Sequence, residues 1–163
     1  MFELLVSDNK IAINIDSDGS KISFCSRLVS GNFPNYISVI NINNTKRLVI
    51  DNDKFIKSID RVGTVVVDQV NAVRFDISSN KVVISGVDRE IGRAREEIDA
   101  QFDSEDMTIN FNGRFIRELL KNIPSKNSII MMSQSDAAVK ILPDSKGDVG
   151  CEFVLMPIEI TKT

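Results

Sequence analysis

The 163-residue sequence has no histidine, no tryptophan, one tyrosine and only two cysteines. Without histidine, Ser-His-Asp and Cys-His catalytic arrangements cannot be built. Cys25 and Cys151 lie far apart, and neither belongs to a Cys-x-x-Cys pair. Zinc-binding spacing is therefore missing, and both thiols are expected to serve as small core residues. No G-x-x-x-x-G-K-[ST] or G-x-G-x-x-G loop is present to cradle phosphates. Carboxylates are plentiful but crowd into the loop-like stretch DREIGRAREEIDAQFDSEDM (88–107), which reads as a solvated edge. Enzymes are the weakest class for this chain, and no catalytic residue, metal or cofactor is expected. Long apolar runs are also missing: none approaches the ~18 residues of a membrane span. The N-terminus, MFELLVSDNK, lacks the basic start and small-residue cleavage site of a signal peptide. The expectation is a soluble cytoplasmic protein with no membrane partner.

What remains is a chain that is 42% apolar, enough for a real core, with a net charge of -3. Most of it alternates polar and apolar residues in the period of half-buried strands. Such runs are KIAINID (10–16), KISFCSRLV (21–29), AVRFDIS (72–78), KVVISGV (81–87), MTINFN (107–112), AVKILP (138–143) and CEFVLMPIEI (151–160). SIIMM (128–132) is continuously apolar, as in a strand covered on both faces. DSDG (16–19), SSN (78–80) and DSKGD (144–148) suit hairpin loops.

Two segments read as helices. One spans about 52–62, with Asp51 or Asn52 as its cap and Gly63 at its stop. The other spans about 113–123, capped by Asn112 and ended by Pro124. They share a pattern: KFIKSIDR (54–61) and RFIRELLK (114–121) each place Phe-Ile between two basic residues and a third basic residue four positions on. At roughly 100° per residue, Phe55, Ile56, Ile59 and Val62 share one side, opposite Lys54, Lys57 and Arg61. In the second, Phe115, Ile116, Leu119, Leu120 and Ile123 oppose Arg114, Arg117 and Lys121 at the same relative angles. Strand runs follow each helix, at 64–87 and 94–111 and then at 127–160. A unit of one helix plus antiparallel strands thus occurs twice, giving a pseudo-symmetric α+β domain over 38–163 with two helices on one face of two sheets. Residues 1–37 hold three strand-like runs and no helix, too few for a core of their own. They read as the tail of another domain, with VSGNFPNY (29–36) as linker.

The basic stripes suit phosphate contacts, which carry no sequence information. An exposed helix face is, however, usually just charged and solvated, and Asp60 and Glu118 dilute the stripes. Neither basic face has an aromatic residue for base stacking, so single-strand readout is not supported.

RLVSGNFPNY, INFNGRFIRELL, AVKI and EFVLMPIEI together resemble the bacterial replicative sliding clamp, the β subunit of DNA polymerase III. The G-x-F-P-[DN]-Y linker and the terminal V-x-M-P carry most of the specificity. The resemblance covers essentially the whole chain and implies the end of the middle clamp domain (1–37) and all of the third domain (38–163). It implies a ring-forming subunit that encircles duplex DNA without sequence preference, tethers the polymerase and performs no chemistry. The six residues Lys54, Lys57, Arg61, Arg114, Arg117 and Lys121 are then expected to face DNA. A pocket for linear motifs of the polymerase α subunit and the clamp loader is implied at Pro34, Val39, Asn112, Phe115, Val154, Met156 and Pro157. Ser38 stands where the family commonly has Arg, and Glu159 where a basic residue is frequent. Contact with a second clamp subunit is implied at Thr64, Val65, Val66, Glu96 and Glu97. By itself the chain is expected to be monomeric or in a non-native contact, because the first domain of that second subunit completes the ring.

Overall fold

The computed structural model describes residues 2–33, 35–40, 42–66, 70–145 and 150–159. The chain divides into two units, Met1–Asn35 and Tyr36–Thr163.

The first unit is a three-stranded antiparallel sheet of β1 (Phe2–Val6), β2 (Lys10–Ser17) and β3 (Ser20–Arg27), in that order. The Asp18-Gly19 turn between β2 and β3 has positive φ at both residues (50° and 80°), the twist a two-residue hairpin needs. Register puts Phe2, Ile15 and Ile22 on one rung and Leu4, Ile13 and Phe24 on the next. Cys25 is exposed and Cys151 half-buried, so neither is the core residue expected from sequence. Cys25 falls on the polar side of this sheet.

The second unit begins with a short helix, α1 (Tyr36–Ile40), that no sequence signal announced. Then come β4 (Lys46–Asp51), α2 (Asn52–Gly63), β5 (Ala72–Ser78), β6 (Lys81–Asp88), β7 (Gly92–Asp99) and β8 (Gln101–Phe102). The remaining elements are β9 (Met107–Asn112), α3 (Gly113–Lys121), β10 (Asn127–Met132), β11 (Val139–Pro143) and β12 (Phe153–Leu155). Two sheets form, ordered β12-β11-β10-β4-β8 and β7-β6-β5-β9. The leading strand of each half is exchanged: β4 pairs with β10, and β9 pairs with β5. Each helix starts the same way. Asn52 N–H donates to Lys126 O at 3.0 Å, and Gly113 N–H donates to Asn71 O at 2.9 Å. The exchange ties each half to the other through backbone bonds.

Several boundaries differ from the sequence reading. Gly63 is the last residue of α2 rather than its stop, because the cap Thr64 is right-handed (φ -64°) and needs no glycine. Helix α3 ends at Lys121, three residues before Pro124. A proline disfavours the helical conformation of the residue before it, here Ile123, and Asn122 closes the end by donating from Nδ2 to Glu118 O at 2.8 Å. Strand β10 is covered on one face only: Ser128, Ile130 and Met132 are buried, while Ile129 and Met131 are half-exposed. Of the described part of the run 151–160, residues 151–159, the strand β12 takes only Phe153–Leu155, and Pro157 beyond it has no N–H to donate. The charged stretch 88–107 contains the full strand β7, held by pairing to β6, with Ala94, Glu96 and Ile98 turned inward. Part of the expected loop 144–148 lies outside the described residues.

The core is continuous across both halves. Phe55 of α2 stacks on Phe75 of β5 (centroids 5.5 Å apart), and Phe75 meets Phe111 of β9 edge-on at 5.6 Å. Gly86 of β6 lies against the end of α2. A Cβ there would stand 2.3 Å from Val66 Cγ2 and 3.0 Å from Val62 Cγ1. Neither methyl belongs to a flexible side-chain tip, so Gly86→Ala is expected to lower stability by about 1–3 kcal/mol. A urea titration reads this directly; an unchanged midpoint would mean that Val66 can move aside at no cost.

Candidate DNA-facing and partner-binding surfaces

The two helices share burial, but not in the register that their sequences suggest. KFIKSIDR and RFIRELLK align 60 positions apart. The caps Asp51 and Asn112 are 61 apart, and so are the buried positions: Asn52 and Gly113, Phe55 and Ile116, Ile59 and Leu120, Val62 and Ile123. Phe55 is 1% exposed, whereas Phe115 is 62% exposed and occupies the position equivalent to Lys54. The expectation that Phe115 belongs to the apolar side is therefore corrected. One residue of slip turns the second stripe about 100° around its helix relative to the first. The strands decide this: β4 and β9 enter the helices 61 residues apart, and that fixes which side chains meet the sheets.

The slip explains the charges. Lys54 and Lys57 are exposed on α2, and Arg114 is exposed on α3; none has a carboxylate partner among the described residues. The other three cations are neutralised. Arg61 makes a bidentate pair with Glu96 of β7, from Nε at 2.7 Å and Nη2 at 2.6 Å. Arg117 sits where α2 has the half-buried Ile56, and its Nε lies 2.6 Å from Asp60 Oδ1, which links the two helices. Lys121 and Arg117 also share Glu118, at 3.6 and 3.1 Å. Together the helices carry six basic and three acidic residues, a net +3; the other residues carry 14 basic and 20 acidic of the chain's 20 and 23, a net -6. Between the helices lies a cavity of about 440 Å³ whose lining includes Ile59, Asp60, Val73, Arg114 and Arg117.

The family model described as "DNA polymerase III beta subunit, C-terminal domain" matches residues 37–159. The chain belongs to the DNA polymerase III β-subunit family. The beta sliding clamp of Rickettsia bellii is 30% identical over a 168-position alignment that covers 97% of this chain and 43% of that protein. That of Caulobacter vibrioides is 28% identical over 158 residues, 97% of this chain and 41% of that protein. Among solved structures, the Bartonella birtlesii clamp bound to griselimycin superposes with a TM-score of 0.81 at 29% identity, covering 96% of this chain and 41% of that one. The Caulobacter crescentus clamp with PEG bound to a region described as β-motif tethering gives 0.82 at 27% identity, covering 98% and 41%. The chain thus spans about two-fifths of the length of the clamps it matches.

The residues expected to line a peptide pocket lie, where described, on separate elements of the second unit. Val39 is exposed on α1, Phe115 on α3 and Met156 after β12, with Val154 and Pro157 half-buried. Asn112 is fully occupied within the fold. Its Oδ1 accepts from the N–H groups of Arg114 (3.0 Å) and Phe115 (3.1 Å), and its Nδ2 donates to Val70 O at 2.9 Å. It therefore positions Phe115 rather than offering free polar atoms. Pro34 lies outside the described residues.

The residues expected at a ring interface divide more sharply. Thr64 caps α2 and Val65 is half-buried, but Val66 is 4% exposed and its side chain is core under Gly86. Strand alternation puts Glu96 and Glu97 on opposite faces of β7. Glu96 is turned to α2, where the bonds from Arg61, with a smaller contribution from Ser58, hold its carboxyl below the usual range. Glu97 faces outward and pairs with Lys81 (3.3 Å) and Arg95 (3.5 Å). What the two share is the strand: β7 is the edge of its sheet. The opposite edge, β9, is met by the C-terminal segment, where Ile158 N–H donates to Asn110 O at 2.8 Å. Among the described residues no group of His, Cys, Asp and Glu could hold a metal. Among the same residues no helix is long and apolar enough to cross a membrane.

Proposed function

We propose that this chain forms part of the wall of a sliding clamp, a non-catalytic ring that encircles duplex DNA and tethers the replicative polymerase and clamp loader. The observation that carries the proposal is the doubled unit itself. Two helices from exchanged halves lie side by side with a net +3, on a chain whose remainder is net -6. A cationic wall attracts the duplex without fixing its register, and the acidic remainder repels it elsewhere. Residues 1–37 correspond, in this proposal, to the end of the middle clamp domain and 38–163 to the third domain. The open edge of β7, with Glu96 and Glu97 along it and Thr64 and Val65 near the end of α2, meets a second clamp subunit by strand addition, and Val66 supports that end from the core. Lys54, Lys57 and Arg114 lead the contact with DNA, and Arg61, Arg117 and Lys121 contribute less because their charge is already matched.

Partner motifs dock on the apolar side chains of Val39, Phe115, Val154, Met156 and Pro157. Met and Val provide an adaptable surface for Leu and Phe anchors. The test is an NMR titration of the chain with a peptide carrying a Q-x-x-L-F motif. Shifts are expected at Val39, Phe115, Val154 and Met156. Shifts confined to the outer sheet faces, or none at millimolar peptide, would remove this tethering role.

A further inference from the structure

The C-terminal segment passes between two cavities of the second unit, and Ile158 and Glu159 line both. The larger, of about 770 Å³, is walled by Thr108 and Asn110 of β9, by Lys46 at the start of β4 and by Asp136 in the β10–β11 connection. The smaller, of about 350 Å³, adds Val70, Ala72 and Val87. Every wall of both belongs to Tyr36–Thr163. Acceptors there outnumber donors. The carboxylates of Asp136 and Glu159 are exposed and form no ion pair among the described residues. Lys46 can neutralise only one of them. Arg74, on the wall of the smaller cavity, is already held by Asp76 at 2.7 and 3.0 Å. Asn110 keeps its Oδ1 out of water with no donor among the described residues, an arrangement that folded proteins seldom leave unanswered. The backbone is also on offer. Asn110 O is turned outward from β5, where it accepts from Ile158 N–H at 2.8 Å. The period of two along a strand turns the N–H and C=O of Thr108 to the same side.

We propose that the larger groove takes an extended, basic segment flanking the motif of a tethered partner, with Lys or Arg side chains set against Asp136 and Glu159. The inference rests on the proposed tethering role and adds to it the charge of the partner. Continuity favours this occupant, because Met156 and Pro157 of the docking surface lead directly into Ile158 and Glu159. An extended chain can add to the open side of β9 at Thr108, so main-chain bonds hold the segment while side chains select it. Lysine and arginine carry only donors, which is what two carboxylates and an unanswered amide oxygen lack. Their aliphatic stems suit the apolar side chain of Ile158 between the charges. An acidic segment would instead set like charges against both carboxylates, which repels the wrong partner and slows its approach.

The experiment is a titration of the 163-residue chain, at low salt, with three peptides that share the Q-x-x-L-F motif. They carry two lysines, two serines or two glutamates on each side of it. Affinity is expected to fall from lysine to serine to glutamate, with the lysine peptide about three- to tenfold tighter than the serine peptide. The lysine peptide should also extend the NMR shifts to Thr108, Asn110 and Ile158. Asp136→Asn combined with Glu159→Gln is expected to bring the lysine and serine peptides within about twofold of each other. Asp99→Asn, on β7 three strands from β9, should leave the preference intact. Asp136 and Glu159 are exposed, so their substitution changes charge without disturbing the core. Three peptides that bind alike would overturn the inference and leave the tethering role standing, whereas no binding by any of them at millimolar concentration would remove both. A lysine preference that survives the double variant, or that Asp99→Asn abolishes as well, would also overturn it, because the overall negative charge of the chain would then be its source.

Discussion

Phe55→Ala is expected to destabilise the protein by about 3–5 kcal/mol, while Phe115→Ala costs less than about 0.5 kcal/mol. The two phenylalanines occupy the same place in the sequence echo, so a reading from sequence alone would assign them equal effects. The structure separates them. Phe55 is enclosed and stacked on Phe75. Truncating it removes the whole ring from the core and leaves a cavity between α2 and β5 that the surrounding strands cannot fill. Phe115 stands largely in water, and its removal uncovers little buried area. Guanidinium unfolding of the two variants, with slopes equal to that of the parent chain, measures the difference. Ile116→Ala should approach Phe55→Ala, at about 2–5 kcal/mol, because Ile116 is the true counterpart of Phe55. Equal costs for Phe55→Ala and Phe115→Ala would restore the 60-residue register and undo the assignment of the stripes.

The second large effect concerns duplex binding at low salt, measured by fluorescence anisotropy. Replacing Lys54, Lys57 and Arg114 with glutamine is expected to weaken binding by about tenfold or more. The same change should flatten the plot of log K against log salt by roughly two to three units, near 0.9 for each phosphate that the protein no longer neutralises. Replacing Arg61, Arg117 and Lys121 with glutamine changes the net charge by the same amount. Its effect on the slope should nevertheless be small, because each of those cations already has a carboxylate within ion-pair distance and releases fewer counterions. The two triple variants therefore distinguish direct contact from a long-range field. Equal slopes for both would mean that the stripes act only through net charge. An unchanged slope and affinity in both would leave them as solvated helix faces.

Acid titration of the fold has a clear sign. Glu96 and Asp76 are both held below the usual carboxylate range, Glu96 first by its bonds from Arg61 and Asp76 first by its bond from Arg74, with Thr108 adding. A depressed carboxylate stabilises the fold above its unfolded pKa of about 4, and that contribution disappears as pH falls below it. Neutral pH leaves both pairs intact.

Much of this protein was determined by the sequence alone. The period-2 runs at 72–78 and 107–112 coincide with β5 and β9, since one-sided burial fixes alternation residue by residue. The cap at Asn112 and the helix that follows were also legible, because capping is a local arrangement of one side chain and two N–H groups. The family itself was legible from the linker and the C-terminal V-x-M-P, and the match over 37–159 agrees. Tertiary structure alone decided the rest. The sequence put strand runs at 94–111 while its charges made 88–107 read as a solvated edge; pairing to β6 decided that Gly92–Asp99 is one full strand, since a strand can be held by its neighbour's backbone whatever its side chains carry. The 61-residue register was hidden by a 60-residue likeness. A helix turns by about 100° per residue, so its face is set by where the entering strand is pinned, and β4 and β9 are pinned by partners in the opposite half. Which cations remain free follows from that register, because a stripe shows which charges share a helix face and only the fold shows what stands opposite them.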